Sequence, residues 1–198
     1  MSETVKRKRL AKRKIILETG AKLFAEKGYH ATRMQDIADV LDLQKGSLYY
    51  YFPSKEALLF TMLETELSHA LVTMRAIVSS SSSALSKIEQ AIVAHLKVFH
   101  RYPDIYSIYL FEKLNTINQE AATKVDQIGR DIESIWKILL QEGIEEGELK
   151  ADIDVDLTTK AILGMCNMTL IWFDVNGRLT IEQTAQQFTH LIFDGLKA

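Results

Sequence analysis

Proline stands at only two of 198 positions, Pro53 and Pro103, and between those breaks apolar residues return every three or four places along the chain. Proline removes a backbone donor and clashes with the preceding turn, so its scarcity leaves long stretches free to continue as helix. Nine glycines are few, and the β-branched alternation of half-buried strands is missing. The pattern predicts an all-α fold of about nine helices.

The first helix is expected over about residues 8–27, with Ile15, Ala21, Phe24 and Ala25 on one face and Gly28 as its stop. Thr32-Arg33-Met34-Gln35 fits a capping box, Thr32 taking a backbone N–H and Gln35 reaching back, and opens a short helix over 34–41. Asp42-Leu43-Gln44 reads as a turn, and a second short helix over 45–52 ends at Pro53. Ser54 then caps a long helix reaching about Val78, and the five serines 79–83 form a polar connector. Further helices are expected over about 85–101, 103–115, 118–146, 154–175 and 180–196, the last two joined at Asn176-Gly177.

The net charge of −2 conceals an asymmetry: residues 1–60 carry 12 Lys and Arg against 7 Asp and Glu, whereas residues 61–198 carry 12 against 19. A basic head on an acidic body suggests that only the head meets a polyanion. Seven basic residues crowd into positions 6–14 and are expected as an arm that adds salt-sensitive affinity or enters a minor groove. The longest apolar stretch, 161–175, is interrupted by Asn167, Thr169 and Asp174 and is too short for a bilayer. With a single cysteine, Cys166, and no secretory pattern, the expected location is the cytoplasm.

Two short helices joined by a three-residue turn can lay the second helix in a major groove. Ala38 is small where such helices cross, Leu43 and Leu48 are apolar where the second packs back, and Gly46 allows close approach of a sugar-phosphate chain. Tyr49, Tyr50 and Tyr51 give a helix of barely two turns a surface both aromatic and polar, which suits nucleic acid better than a core. The segments Thr32-Arg33-Met34-Gln35-Asp36-Ile37-Ala38, Lys45-Gly46-Ser47-Leu48-Tyr49-Tyr50-Tyr51-Phe52 and Ser54-Lys55-Glu56-Ala57-Leu58-Leu59 together resemble the N-terminal domain of the tetracycline-repressor (TetR) family over about residues 10–60. Two departures are Asp42, where the family often has Gly, and Gln44, where it often has Ser or Thr.

The resemblance implies an all-helical homodimer, a DNA-binding domain over residues 1–55 and a ligand-binding and dimerisation domain over 56–198. It assigns DNA contacts to Thr32, Arg33, Gln44, Lys45, Gly46, Ser47, Tyr49, Tyr50 and Lys55. Chemically, Gln44 and Lys45 can reach base edges, Ser47 suits either task, and Thr32, Arg33, Tyr49, Tyr50 and Lys55 suit phosphates. The expected partner is a palindromic double-stranded operator.

The helix over about 156–174 is apolar on more than one face and that over 180–196 carries a matching stripe, as expected for a four-helix bundle across a two-fold axis. An adaptable cavity would draw on Met62, Leu96, Phe99, Tyr106, Tyr109, Trp136, Met165, Met168 and Trp172, each of which also suits plain core packing. Residues 95–114 and 168–180 resemble the branch of the family that represses fatty-acid or sterol breakdown and releases DNA on binding acyl-CoA thioesters. That implies a small hydrophobic effector, with Lys97, Arg101, Lys113 or Arg130 meeting the CoA phosphates. A multidrug- or other-metabolite-responsive repressor, for which Glu112 is the candidate acidic residue, and a ligand-free DNA-bound structural factor are the alternatives. No phosphate loop, metal cluster or nucleophile motif points to an enzyme. No cofactor or metal is expected: His95 and His100 are five residues apart and do not converge as a metal pair.

Overall fold

A computed structural model of the chain describes residues 3–111 and 119–196. Among these residues the elements are α1 (Glu3–Lys27), α2 (Met34–Val40), α3 (Lys45–Tyr51), α4 (Lys55–Val78), α5 (Ala84–Phe99), α6 (Pro103–Phe111), α7 (Gln119–Glu145), α8 (Val155–Trp172) and α9 (Ile181–Leu196), with no strand. The fold is all-α, as the helical periodicity predicts. Residues 112–115 of the expected sixth helix, and with them Glu112 and Lys113, lie outside the described residues.

The breaks have local causes. Gly28 ends α1 at φ +81°, a backbone conformation glycine adopts without steric cost. Asp42 turns the chain between α2 and α3 at φ +49°, the conformation for which the family often uses Gly. Ser54 Oγ accepts from the Ala57 N–H 3.1 Å away, opening α4. The serine run supplies Ser83, whose hydroxyl caps α5 by accepting from the Ser86 N–H. One start differs from the expectation. The N-cap of α2 is Arg33, and only half a capping box forms: the Asp36 carboxylate accepts from the Arg33 N–H at 2.8 Å. Gln35 bonds Asp39 instead of reaching back.

The contacts divide the chain into two compact units, Met1–Thr65 with Tyr102–Val125, and Glu66–Arg101 with Asp126–Ala198. The sequence boundary at 55/56 falls inside the first, at the first turn of α4. Its core is built from Ile16, Phe24, Ile37, Ala38, Leu48, Phe52, Leu58, Leu59 and Leu63. Gly20 lets α1 and α4 meet, because a Cβ there would lie 2.8 Å from Leu58 Cδ2 and 2.9 Å from Met62 Cε. In the second unit α5 packs against α8 and α9, burying Ile88, Ile92, Leu96, Trp136, Cys166 and Ala185. There Glu146 and Glu148 accept from the Ala84 and Leu85 N–H groups, so the first turn of α5 is capped by carboxylates 62 and 63 residues away.

Candidate nucleic-acid interface

A seven-residue helix has few positions to spend on the core, and α3 spends one. Leu48 is buried, while Lys45, Gly46, Ser47, Tyr49 and Tyr50, with Gln44 before them, are exposed. The helix is held by Leu48 from within and by Phe52 just past its end. Its outer face therefore carries an amide, an ammonium, a hydroxyl and two phenols, the donor set that can address phosphates and base edges together. Lys45 Nζ lies 5.8 Å from the centroid of the Tyr49 ring, and the Arg9 guanidinium 5.4 Å from that of Tyr50, which is 64% exposed. Arg33 at the start of α2 is exposed as well.

Two of the expected phosphate contacts are occupied elsewhere. Thr32 is fully buried, and its hydroxyl donates to Gly28 O (2.8 Å) and Leu23 O (3.2 Å), stitching the turn after α1. Lys55 Nζ donates to the carbonyls of Tyr29 (2.8 Å), Thr32 (3.0 Å) and His30 (3.3 Å) and lies over the Tyr29 ring. Burial lowers its pKa from the ordinary lysine value, against the pull of Glu56. Both residues shape the loop between α1 and α2, Thr32 from within and Lys55 from a half-buried position. The basic arm lies within the first helix, which begins earlier than the expected residue 8. Positions 6–14 belong to α1, a continuous helix from Glu3, so their charges are carried along one rod. Sequence reasoning missed Arg13, whose guanidinium donates to Tyr51 O at 2.9 Å and to Thr61 Oγ1 at 3.3 Å. A charge run gives no hint of which member turns inward.

In the second unit the polar groups lie inside. His95 is buried, stacked on Phe99 with centroids 4.2 Å apart, and its Nε2 is 2.9 Å from Asn167 Oδ1. Burial pushes His95 down to about 4, the Asn167 bond opposing and the His100 charge assisting. His100 Nε2 is 2.8 Å from Thr169 Oγ1. The two histidines thus reach α8 at separate residues. Lys87 is buried with its Nζ 2.5 Å from Glu142 Oε1. None of these pairings is readable from spacing, since the partners lie 55 to 72 residues apart.

The nine candidate cavity residues do not share one environment. Met62 and Tyr106 are buried and Tyr109 half-buried in the first unit; Leu96, Phe99 and Trp136 are buried and Met165 half-buried in the second. Met168 and Trp172 stand apart from the other seven: they are 46% and 53% exposed, on an outer stripe of α8 with Leu157 and Ile171. The opposite stripe, Thr159, Ile162, Cys166 and Thr169, is buried. Of the expected phosphate-binding cations, Lys97 pairs with Glu182 at 3.0 Å and Arg101 with Glu66 at 3.4 Å, while Arg130 bonds Gln127 on its own helix.

Residues 16–62, from α1 into α4, match the description "Bacterial regulatory proteins, tetR family", and residues 81–196, spanning α5 to α9, match "Tetracyclin repressor-like, C-terminal domain". The chain belongs to the TetR family. TetR-family membership makes it a helix-turn-helix transcriptional regulator, with the α2–α3 pair inside the matched N-terminal segment. It is 30% identical over 181 residues to the HTH-type transcriptional repressor KstR2 of Mycobacterium tuberculosis, covering 91% of this chain and 90% of that one. The solved structure of the ketosteroid transcriptional regulator KstR2 from that organism superposes with a TM-score of 0.80 at 29% identity, covering 94% and 95% of the two chains. The transcriptional regulator FadR of Bacillus subtilis, solved in complex with stearoyl-CoA, shares the fold at a TM-score of 0.74 and 24% identity, over 91% and 97%. Among the described residues no helix is long and apolar enough to cross a membrane.

Proposed function

We propose that this TetR-family regulator is a homodimeric repressor that binds a palindromic operator in the major groove through α3 and is released by a fatty acyl-CoA. The observation that carries the DNA half is the burial pattern of α3, one side chain in and an unbroken polar and aromatic face out. Gln44 and Lys45, at its leading end, read bases; Arg33, Ser47, Tyr49 and Tyr50 hold phosphates, and Gly46, with nothing within 4 Å of where a Cβ would stand, leaves the backbone open to approach. Thr32 and Lys55 serve by fixing the loop that presents α2. The division of labour follows the chain: residues 1–55 meet DNA, residues 56–198 take the effector and pair. In the cell it works in the cytoplasm.

Dimerisation is supported by the outer stripe of α8, where Leu157, Met168, Ile171 and Trp172 form a row open to solvent in the single chain, with Leu191 exposed on α9. A second copy related by a two-fold axis covers such a face and gives the regulator two α3 helices, one for each half of a palindrome. Repression is supported by the likeness to the repressor KstR2, and the acyl-CoA assignment by the stearoyl-CoA held by FadR on the same fold. The test is a mobility-shift titration on DNA upstream of the protein's own gene, with free fatty acids and acyl-CoAs of short, medium and long chain. A dimer-sized complex dissolved by one chain-length class at micromolar concentration is expected. A complex indifferent to every thioester overturns the effector, and no complex overturns the operator.

A further inference from the structure

A helix of seven residues with one buried side chain needs a second anchor to hold its direction, and α3 has one outside its own sequence. The carbonyl of Tyr51, its last residue, has no partner further along the helix, as for any helix end. Arg13 of α1 fills that place: Nη1 donates to Tyr51 O at 2.9 Å, Nη2 donates to Thr61 Oγ1 of α4 at 3.3 Å, and the guanidinium lies 4.2 Å from the centroid of the Phe52 ring. Thr61 is itself fixed, its hydroxyl donating to Ala57 O at 2.7 Å. One planar group therefore ties the end of α3 to α1 and α4, and stacks on the aromatic residue that follows it.

We propose that Arg13 is a positioning residue for operator recognition, setting the direction of α3 from behind and touching no DNA itself. This builds on the reading of α3 as the base-reading helix. The contrast with Arg9, one turn earlier on α1, carries the point. Arg9 is exposed, with its guanidinium over the outward-facing ring of Tyr50, where a phosphate bound by that phenol would lie. Arg13 is part-buried, and its donors go to protein oxygens. Burial and the Arg9 charge both push its guanidinium below the ordinary arginine value, with Glu64 opposing, the mark of a cation kept for geometry at some electrostatic cost. A lysine could not replace it, because an ammonium is a point charge that cannot fork to two acceptors while lying flat on a ring.

The experiment measures Arg13→Lys, Arg9→Gln and Thr61→Val for binding to an operator duplex selected with the wild-type protein and to a scrambled duplex, each over a range of salt. Failure to enrich any operator with the wild-type protein would remove the underlying reading of α3, separately from the claim about Arg13. Arg13→Lys keeps the charge, so about tenfold weaker operator binding is expected, with scrambled-DNA binding and the salt slope both as in wild type. Thr61→Val breaks one arm of the fork without touching a charge and should show the same selective loss, smaller in size; it serves if Arg13→Lys melts early. Arg9→Gln should weaken both duplexes and lower the salt slope by about 0.9, the share of one phosphate. Wild-type discrimination in both Arg13→Lys and Thr61→Val overturns the proposal. So does a salt slope about 0.9 lower when the charge itself is removed, in a fourth variant, Arg13→Gln, measured on the same two duplexes, since that places a phosphate on Arg13.

Discussion

The two units solve opposite problems with similar helices. In the first, the function faces outward: α3 keeps one side chain for the core and offers the rest to a partner, and the buried polar residue there, Thr32, is consumed by the turn it stabilises. In the second, polar chemistry reaches inward: His95 with Asn167, Thr169 with His100 and Lys87 with Glu142 are pairs in which a buried polar residue meets a half-buried partner. A surface that reads DNA can change residue by residue without disturbing what lies beneath. An interior built around buried pairs cannot, because each buried polar group left without its partner costs about 1–3 kcal/mol. Stability and recognition should therefore separate cleanly in the first unit and be entangled in the second.

The largest effect expected from that contrast is at Trp136. It is fully buried, with its ring 6.3 Å from that of His95 in an edge-on arrangement. Truncation to Ala removes the largest side chain of the second unit's core and leaves His95 without one of its aromatic walls. A loss of about 3–5 kcal/mol is expected, read by denaturant unfolding. A loss below 1 kcal/mol would mean that this interior collapses around the gap, and the contrast between the units would fail.

A smaller effect follows from His95 through pH. Its folded value of about 4 lies below the ordinary 6.5, so between those values the unfolded chain binds the proton that the folded chain refuses. Stability from keeping this residue neutral is therefore full above about pH 6.5 and drains as pH falls toward 4, by about 3 kcal/mol in all. His100, also lowered by burial, acts in the same direction. Carboxylates titrate over part of this window, so the measurement is a difference: urea unfolding of wild type and of His95→Gln at pH 7 and pH 4.5. The wild type should lose more than the variant. Equal losses would show that the acid sensitivity lies elsewhere.

The same contrast explains how far the sequence could be read. The α2–α3 pair was legible because its determinants are local: the spacing of Ile37, Ala38 and Leu48, the stop at Pro53, and a turn at Asp42 that does adopt positive φ. The helices of the second unit were legible as helices for the same reason. Their contacts were not, since a Met or Trp at helical spacing looks alike whether it faces a core, a cavity or a second chain. Met168 and Trp172 were expected around a cavity and lie on the outer stripe of α8 because that helix is apolar on two sides, and periodicity cannot say which side is covered from within. Within the head, too, what sequence could not show is where a side chain reaches across the chain. Lys55 bonds carbonyls 23 to 26 residues away and Arg13 one 38 residues away, and neither distance leaves a trace in a local motif.

The smallest effect on the fold, and the sharpest test of an outward-facing function, is expected at Lys45. Its side chain is exposed at the start of α3 and its nearest aromatic neighbour is Tyr49, 5.8 Å from Nζ to ring centroid. Replacing it with Ala removes no core contact, so unfolding stability should stay within about 0.5 kcal/mol of wild type. If Lys45 donates to a base edge, operator binding should weaken by about 1–3 kcal/mol, with a weaker effect on scrambled DNA. If it holds a phosphate, both duplexes should weaken together and the salt slope should fall by about 0.9. The first outcome bears out Lys45 as a base-reading residue, and the second moves it to the gripping side of the α3 face. A third outcome, loss of stability alongside affinity, would break the comparison at its root, because it would mean that α3 draws on its outer face to stay folded.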